Sequence, residues 1–400
     1  MLPALVARPV VAGPPGSPAV ADRPDGAAAV LRAVLDGGPL GRTAIVGETG
    51  LSAAAVSRYS ADLLAMGLVW QPPEPAQPPR PGRPRIPLDI NTSHHVAAGV
   101  HVALPRLTFS LTDLRGRVVA SEHLPRAEHS GAVLAEVAAR LPGFLRRHAH
   151  GRSVLGLGVV TGGWVDPDAG VVVENAALGW RNVPVRDALR RAVRLPVHVE
   201  GHARALARAE MLFGRVGEGV LVHLFVGNAV DAAIASGGVL LQGRRYGAGG
   251  IAHLPVPGSA LPCPCGRTGC LQVSVADRGM VERAVAEGVV PRPDLQSLLR
   301  AAGRGDARAV ELCRARLRMV GRAVRPMLEV ISPDAVVLTE AATLQLPELL
   351  GELSREIGGA EGLVRVGSFG PDTLAVAAAV PVLAAVYRDP LGLRTVGGAR

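Results

Sequence analysis

Lysine is missing from this 400-residue sequence, so all 43 of its basic side chains are arginines. They outnumber the 34 acidic residues and give a formal net charge of +9. A GC-rich coding sequence produces such a bias towards arginine. The bias is also compatible with a nucleic-acid partner, because the guanidinium group pairs well with phosphate and guanine. Aromatic residues make up only 3% of the chain, so the core must be built mainly from Ala, Val and Leu.

Long hydrophobic runs are also lacking. The longest, Leu374–Tyr387, is too short to span a bilayer and is interrupted by Pro381. The first 20 residues have no basic segment and contain several prolines, which argues against a secretory leader. Only four cysteines are present, which excludes a disulfide-rich scaffold. We therefore expect a cytoplasmic protein with no membrane partner.

The chain is long enough for two or three domains, and its composition changes twice along its length. Residues 1–24 are rich in Pro, Gly and Ala and are predicted to form a disordered tail. Residues 25–90 are predicted to form a winged helix-turn-helix domain, and residues 91–400 an α/β body. Within the body, the hydrophobic pattern predicts strands at 154–160, 220–227 and 335–339 and helices at 185–193 and 305–331.

Residues 27–69 have the pattern of a helix-turn-helix followed by a wing. Helices are predicted at 27–36 and 42–47, Gly50 allows a tight turn, and Ser52 is a good N-cap for a third helix. In that helix, Val56, Leu63 and either Tyr59 or Ser60 recur at helical spacing and should face the core. An ordinary three-helix packing unit is the alternative. The candidate DNA contacts are Arg42, Thr43, Ser52, Ala53, Ala54, Ser57 and Arg58.

The predicted wing tip is a proline-stiffened arginine strip that carries Arg80, Arg83 and Arg85. Such a strip is slim enough to enter a minor groove or to contact phosphates. The alternative is a solvated linker. Ala53 and Ala54 of the third helix weaken its direct readout of bases, because they offer only methyl contacts to thymine.

Three cysteines lie within eight residues and follow an upstream histidine. Thiolates and an imidazole in a set of four are typical of a closed, tetrahedral structural zinc site. Redox-active cysteines are the alternative, but no CxxC pair is present. Cys313, in the long predicted helix, is interpreted as a small buried hydrophobe. The predicted zinc ligands are His253, Cys263, Cys265 and Cys270.

Taken together, these motifs resemble the ROK family of repressors and sugar kinases over roughly residues 26–390. The stretches that carry the resemblance are residues 82–90, 163–172, 178–189 and 252–272. The resemblance implies a two-lobed actin-like (RNase H-like) ATPase fold with sugar and nucleotide bound in the cleft. For a repressor, it also implies a homodimer or homotetramer on a palindromic double-stranded DNA operator.

Several positions depart from the family pattern. The family's Asp-x-Gly-Gly-Thr phosphate turn corresponds to residues 100–105, which have neither the Asp nor any Gly. Its second phosphate loop corresponds to residues 227–231, where Asp231 is expected to repel phosphate. The family's catalytic Asn-Asp pair is replaced by Gly201-His202. Hydrogen-bonding side chains at the sugar site are also lost or neutralised. The positions of this degenerate sugar site are Ala177, Gly201, His202, Gly250 and Gln272.

The sequence therefore predicts a transcriptional regulator rather than an enzyme, with no kinase activity and without the usual sugar-binding set. One alternative is a sugar-responsive repressor whose cleft has been rebuilt around Glu174, Asn175, His202 or His253. An ATP-dependent sugar kinase and a protein-interaction scaffold are two further alternatives. The identity of an effector stays open at this stage.

Overall fold

The computed structural model describes residues 5–6, 25–73, 86–104, 106–125, 130–214, 216–217, 219–359 and 362–395. The helices in these ranges are α1 (Gly26–Gly37), α2 (Arg42–Thr49), α3 (Ala53–Ala65), α4 (Val133–His148), α5 (Val185–Val193), α6 (His202–Phe213), α7 (Leu271–Val275), α8 (Asp277–Ala286), α9 (Leu295–Gly303), α10 (Ala307–Ile331), α11 (Ala341–Gln345), α12 (Leu350–Ile357) and α13 (Thr373–Arg388).

The strands alternate with these helices through most of the chain. They are β1 (Leu5–Val6), β2 (Val69–Trp70), β3 (Asp89–Ile90), β4 (His95–Val102), β5 (Arg106–Asp113), β6 (Val118–Pro125), β7 (Ser153–Thr161), β8 (Trp164–Asp166), β9 (Val171–Asn175), β10 (Trp180–Val183), β11 (Val197–Gly201), β12 (Leu221–Val226), β13 (Val230–Ser236), β14 (Val239–Leu240), β15 (Ala335–Glu340), β16 (Val364–Val366) and β17 (Arg394–Thr395). Every body helix and strand that the sequence predicts is confirmed, with no end shifted by more than two residues.

Two five-stranded mixed sheets form the two lobes of the body. The first has the order β11-β7-β4-β5-β6, and the second has the order β14-β13-β12-β15-β16. In the first sheet β11, β7 and β4 run parallel, and in the second β12, β15 and β16 do. Helix α6 packs against α13 of the first lobe and against β12 and β13 of the second, so it lies between the lobes.

Close approach of small residues replaces aromatic packing in the first lobe. Helix α13 crosses β4, β5 and β7, and two glycines let its backbone come near. A Cβ at Gly99 would lie 2.6 Å from the Ala378 carbonyl carbon, and one at Gly158 would lie 2.0 Å from the Ala378 oxygen. A core this tight needs few aromatic rings, which explains how a chain with 3% aromatics fills its interior.

One helical stretch, Gly370–Arg388, is long and apolar enough by length and composition to cross a membrane. In the fold, 67% of its most apolar window is buried. Its buried residues, among them Val376, Ala379 and Leu383, pack inside the body. The stretch therefore has the properties of a core helix.

The N-terminal helices share a core with the body. Val30 and Leu31 of α1 and Leu63 of α3 belong to the same buried cluster as Leu155 of β7 and Val386 of α13. Polar contacts reinforce this junction. Arg115 donates to the Leu35 carbonyl at 3.0 Å, and its guanidinium also pairs with the Asp89 carboxylate.

The predicted disordered tail is wrong for two residues. Leu5–Val6 form β1, which pairs antiparallel with β17, Leu5 opposite Thr395 and Val6 opposite Arg394. Strand pairing satisfies backbone N–H and C=O groups whatever the local composition, and composition was the basis of the tail prediction. The remainder of that tail lies outside the described residues.

Candidate DNA-binding surface, metal centre and interlobe cleft

The local geometry of residues 42–65 is that of a helix-turn-helix. Gly50 ends α2 in the left-handed conformation, with φ 66°. The Ser52 side chain then caps α3 by accepting a hydrogen bond of 3.2 Å from the Ala55 N–H. Val56, Ser60 and Leu63 face the core. The structure thus confirms the predicted turn and cap, and it selects Ser60 over the half-buried Tyr59 as the inward residue.

The opposite face of α3 points to solvent. All of the predicted contacts on α3 and at its cap are exposed: Ser52, Ala53, Ala54, Ser57 and Arg58. On α2, Thr43 is exposed and Arg42 is half-buried. The Arg58 guanidinium lies 4.8 Å from the centre of the Tyr59 ring, an arrangement that holds the arginine near the helix surface.

The predicted wing begins where the sequence placed it. Strands β2 and β3 pair antiparallel, with Val69 opposite Ile90 and Trp70 opposite Asp89. The tip that would join them, including Arg80, Arg83 and Arg85, lies outside the described residues. The arginine-strip hypothesis therefore stays a prediction.

The predicted metal ligands come together in one cluster. One ligand atom from each of His253, Cys263, Cys265 and Cys270 lies within 4.8 Å of all the others. The Cys265 and Cys270 sulfurs are 3.7 Å apart, as are the Cys263 sulfur and His253 Nδ1. Two sulfurs at about 2.3 Å from a tetrahedral metal are separated by about 3.8 Å. The donor set therefore fits a metal ion, and these two distances match those of a tetrahedral site.

The loop that carries these ligands is shaped by backbone bonds and glycines. The Cys263 N–H donates to the Arg267 carbonyl at 2.8 Å, which closes a tight turn that contains Cys265. Gly269 has φ 69°, and a Cβ there would lie 2.4 Å from the Ser259 oxygen. Hydrogen bonds from Arg267 lower the pKa of the Cys265 thiol to about 6, which favours the thiolate that a metal requires.

The cleft between the lobes is crossed by Asp231, at the start of β13. Its Oδ2 accepts a hydrogen bond of 3.1 Å from the Gly163 N–H, in the turn that follows β7 of the first lobe. The same oxygen lies 2.8 Å from Nε2 of His202, the first residue of α6, although the ring is not aligned for a hydrogen bond. A residue expected to repel phosphate thus joins the two lobes.

Polar side chains near this crossing are occupied by the protein itself. Asn175 donates to Thr161 Oγ1 and to the Gly162 carbonyl, and it accepts from the Leu178 N–H. Gln272 accepts from the Val230 N–H at 2.9 Å and donates to the Asn228 carbonyl at 2.7 Å. Of the degenerate sugar-site positions, Gln272 and His202 thus lie beside the 227–231 turn. Gly201 caps α6, and Ala177 lies in the turn held by Asn175.

Two further histidines are buried around the cleft. The His101 ring, on β4, stacks at 5.9 Å from the His202 ring, and burial lowers its pKa to about 3. His223, on β12, shares a hydrogen bond of 3.1 Å with Thr339, and burial also lowers its pKa to about 3. Both are therefore neutral at physiological pH. His101 is the penultimate residue of β4 and lies within the stretch that corresponds to the family's phosphate turn, so a neutral side chain takes that place.

A second set of contacts crosses the mouth of the cleft. Trp164 donates its indole N–H to the Arg245 carbonyl at 2.7 Å, and the Tyr246 hydroxyl donates to the Asp168 carboxylate. Arg245 and Tyr246 both have positive φ, 50° and 61°, which is costly for residues other than glycine. Gly250 lies four residues after Tyr246. Sequence reasoning missed the turn, because no local pattern identifies a contact across the lobes.

Comparison with known proteins agrees with this geometry. The profile described as the ROK family matches residues 97–356. Transcriptional regulator Rv0485 of Mycobacterium tuberculosis is 32% identical over 393 residues, covering 93% of this chain and 88% of that protein. The DNA-binding transcriptional dual regulator NagC of Escherichia coli is 27% identical over 342 residues, covering 80% of this chain and 82% of that protein.

Solved structures confirm the predicted fold class. A ROK family transcriptional regulator described as a homolog of the Escherichia coli MLC protein superposes with a TM-score of 0.73 at 20% identity, covering 90% of this chain and 96% of that one. A ROK family glucokinase from Streptomyces griseus, in complex with glucose and AMPPNP, superposes with a TM-score of 0.64 at 24% identity. This superposition covers 71% of this chain and 98% of the glucokinase chain.

Proposed function

The chain belongs to the ROK family, and we propose that it is a cytoplasmic, DNA-binding transcriptional regulator. We further propose that it assembles as a homodimer or homotetramer, that it holds one structural zinc ion and that it does not phosphorylate sugars. The observation that carries the DNA-binding part is the capped α3, whose exposed N-terminal face presents Ser57 and Arg58 beside a β2–β3 wing. This is the placement that a recognition helix needs in a major groove. Sequencing the DNA bound by the protein in cells would identify its operator. An absence of enriched sites would contradict the proposal.

Arg58 provides a residue-level test. We expect Arg58→Ala to weaken binding to the identified operator by about 1–3 kcal/mol, because the variant loses a base or phosphate contact. Measuring the dissociation constant by fluorescence anisotropy at several salt concentrations checks this, since a lost phosphate contact also lowers the salt slope. Arg292→Ala, an exposed arginine in the second lobe, is the matched control. Equal affinities of Arg58→Ala and Arg292→Ala would remove α3 from the interface.

The zinc assignment rests on the four converging donors, His253, Cys263, Cys265 and Cys270. With all four positions filled by protein, no coordination site is left for substrate, so the metal would supply stability and not catalysis. Metal analysis of protein purified without chelators should find one zinc per chain.

The absence of kinase activity is proposed from the cleft. Residues 100–102 form the end of β4, and the stretch 100–105 contains no glycine that could build a cradle for phosphate. Asp231 and His202 lie in contact in the part of the cleft where a kinase of this family would bind nucleotide and sugar. A coupled ATPase assay with glucose, N-acetylglucosamine and xylose should show no sugar-dependent turnover. Turnover above the rate without sugar would favour the kinase alternative.

The same cleft gives no support to a rebuilt sugar site. The Asn175 side chain already forms hydrogen bonds with Thr161 and Gly162. Glu174 is exposed and paired with Arg181, and His253 lies in the metal cluster. A hexose needs directed partners to replace its bonds to water. We therefore infer that the effector, if one exists, is not an ordinary hexose held by these residues.

A further inference from the structure

The two lobes touch each other in the cleft, where a ligand would otherwise lie between them. A Cβ at Gly162 of the first lobe would lie 2.6 Å from the Ala229 side chain of the second lobe and 2.9 Å from the His202 ring. Next to this contact, Asp231 of the second lobe accepts from the Gly163 N–H. A carboxylate that accepts from a backbone N–H makes one of the stronger hydrogen bonds found in proteins. The closed arrangement is thus held by the chain's own side chains.

Helix α6 runs from this contact to the DNA-binding domain. It begins at His202 and ends at Phe213, and its 12 residues span about 18 Å. Near its far end, Arg32 of α1 donates to the Met211 carbonyl at 3.0 Å. Leu212 and Phe213 pack against the cluster that the N-terminal helices share with the body. A shift of the N-terminal end of α6 would therefore be passed to α1.

We propose that Asp231 is a built-in latch that takes the place of a ligand in closing the cleft, and that the closed form is the one that binds DNA. Asp231 is a positioning residue, since it acts on DNA through His202 and α6. This inference rests on the proposed function, because it assigns the regulation of the same DNA-binding surface. The latch also explains how a family member that has lost its ligand-binding side chains can keep its two lobes in one relative position.

Asp231→Ala tests the latch. Hydrogen exchange followed by mass spectrometry should show faster exchange of the amides around Gly163 and His202 in the variant than in the native protein. Operator affinity should fall about tenfold. Asp231→Asn keeps an oxygen that can accept from Gly163 and should restore most of both properties. Asp187→Asn, at an exposed carboxylate on α5, is the matched control and should behave as the native protein does.

If the Asp231 contact and operator DNA both favour the closed state, each stabilises the other. Operator DNA should therefore slow exchange around Gly163 in the native protein and should lose that effect in Asp231→Ala. A general loss of stability would not remove this coupling. Unchanged exchange at the cleft in Asp231→Ala would overturn the latch, and faster exchange with unchanged DNA affinity would overturn the link through α6. If the native protein itself binds no DNA, the proposed function fails instead, while the cleft exchange still tests the latch.

Discussion

The metal loop and the cleft lie next to each other in the chain but differ in what fills them. Cys270 is the last predicted metal ligand, and Gln272 follows it by two residues. In the loop, four donor atoms converge to within 4.8 Å of one another. In the cleft, Gln272, His202 and Asp231 approach other parts of the chain. A bound metal stabilises the fold directly, whereas a sugar site can be lost without unfolding the protein. The difference supports our proposals that the metal loop stabilises the fold and that the cleft does not hold an ordinary hexose.

The largest effect should come from breaking the metal loop. Cys265→Ser is expected to abolish stoichiometric zinc binding and to lower the free energy of unfolding by about 4 kcal/mol or more, as the loss of a structural metal does. Urea unfolding combined with metal analysis measures both quantities. Cys313→Ser is the control, because Cys313 is buried in α10 away from the cluster and its loss should leave the zinc content unchanged. Full zinc content in Cys265→Ser would contradict the ligand assignment.

A second effect should come from the buried histidines, two of which line the cleft. The folded pKa values are about 4 for His95 and about 3 for His101 and His223, all below the ordinary value of 6.5. The unfolded chain therefore binds more protons below pH 6.5, so stability is lost as the pH falls below that value. Each histidine contributes about 1.4 kcal/mol per pH unit, and the three together remove up to about 4 kcal/mol between pH 7.5 and 5.5.

Urea unfolding at a series of pH values measures this loss, with zinc content followed in parallel because the metal ligands also take up protons. His101→Asn should reduce the decrease by about a third. A His123→Asn variant, in which an exposed histidine is replaced, should leave the decrease unchanged. An identical pH dependence in the native protein and in His101→Asn would show that the cleft histidine is not held neutral.

The metal loop and the helix-turn-helix could be predicted from sequence because their determinants are local. Ser52 caps the helix that follows it directly, and three cysteines within eight residues constrain one another. The cleft could be predicted only as a set of missing groups. Asp231 was expected to repel phosphate, but its contact with Gly163 joins residues 68 positions apart and depends on how the two lobes are packed. Arg245 and Tyr246 adopt positive φ for the same non-local reason, since no residue preference favours that conformation there.

The smallest expected effect, and the one that bears most directly on the comparison, comes from restoring a family residue to the cleft. The ROK resemblance places a Glu at the position of Gln272, so Gln272→Glu returns one sugar-holding group. The new carboxylate can still accept from the Val230 N–H but faces the Asn228 carbonyl without a proton to donate. We expect a loss of about 1 kcal/mol in the free energy of unfolding, because the half-buried Asn228 carbonyl loses its donor and faces a negative charge. Calorimetric titration with glucose and N-acetylglucosamine should still show no binding, because Ala229 and Asp231 continue to occupy the space beside Gly162 and Gly163.

Gln272→Met is the control variant, because it removes both hydrogen bonds without adding charge. It separates the loss of the amide from the repulsion between the new carboxylate and the Asn228 carbonyl. Micromolar hexose binding by Gln272→Glu would show that a single side chain, and not closure of the lobes, prevents sugar binding. The difference between the metal loop and the cleft would then depend on one substitution, and the cleft would still be able to bind a small molecule.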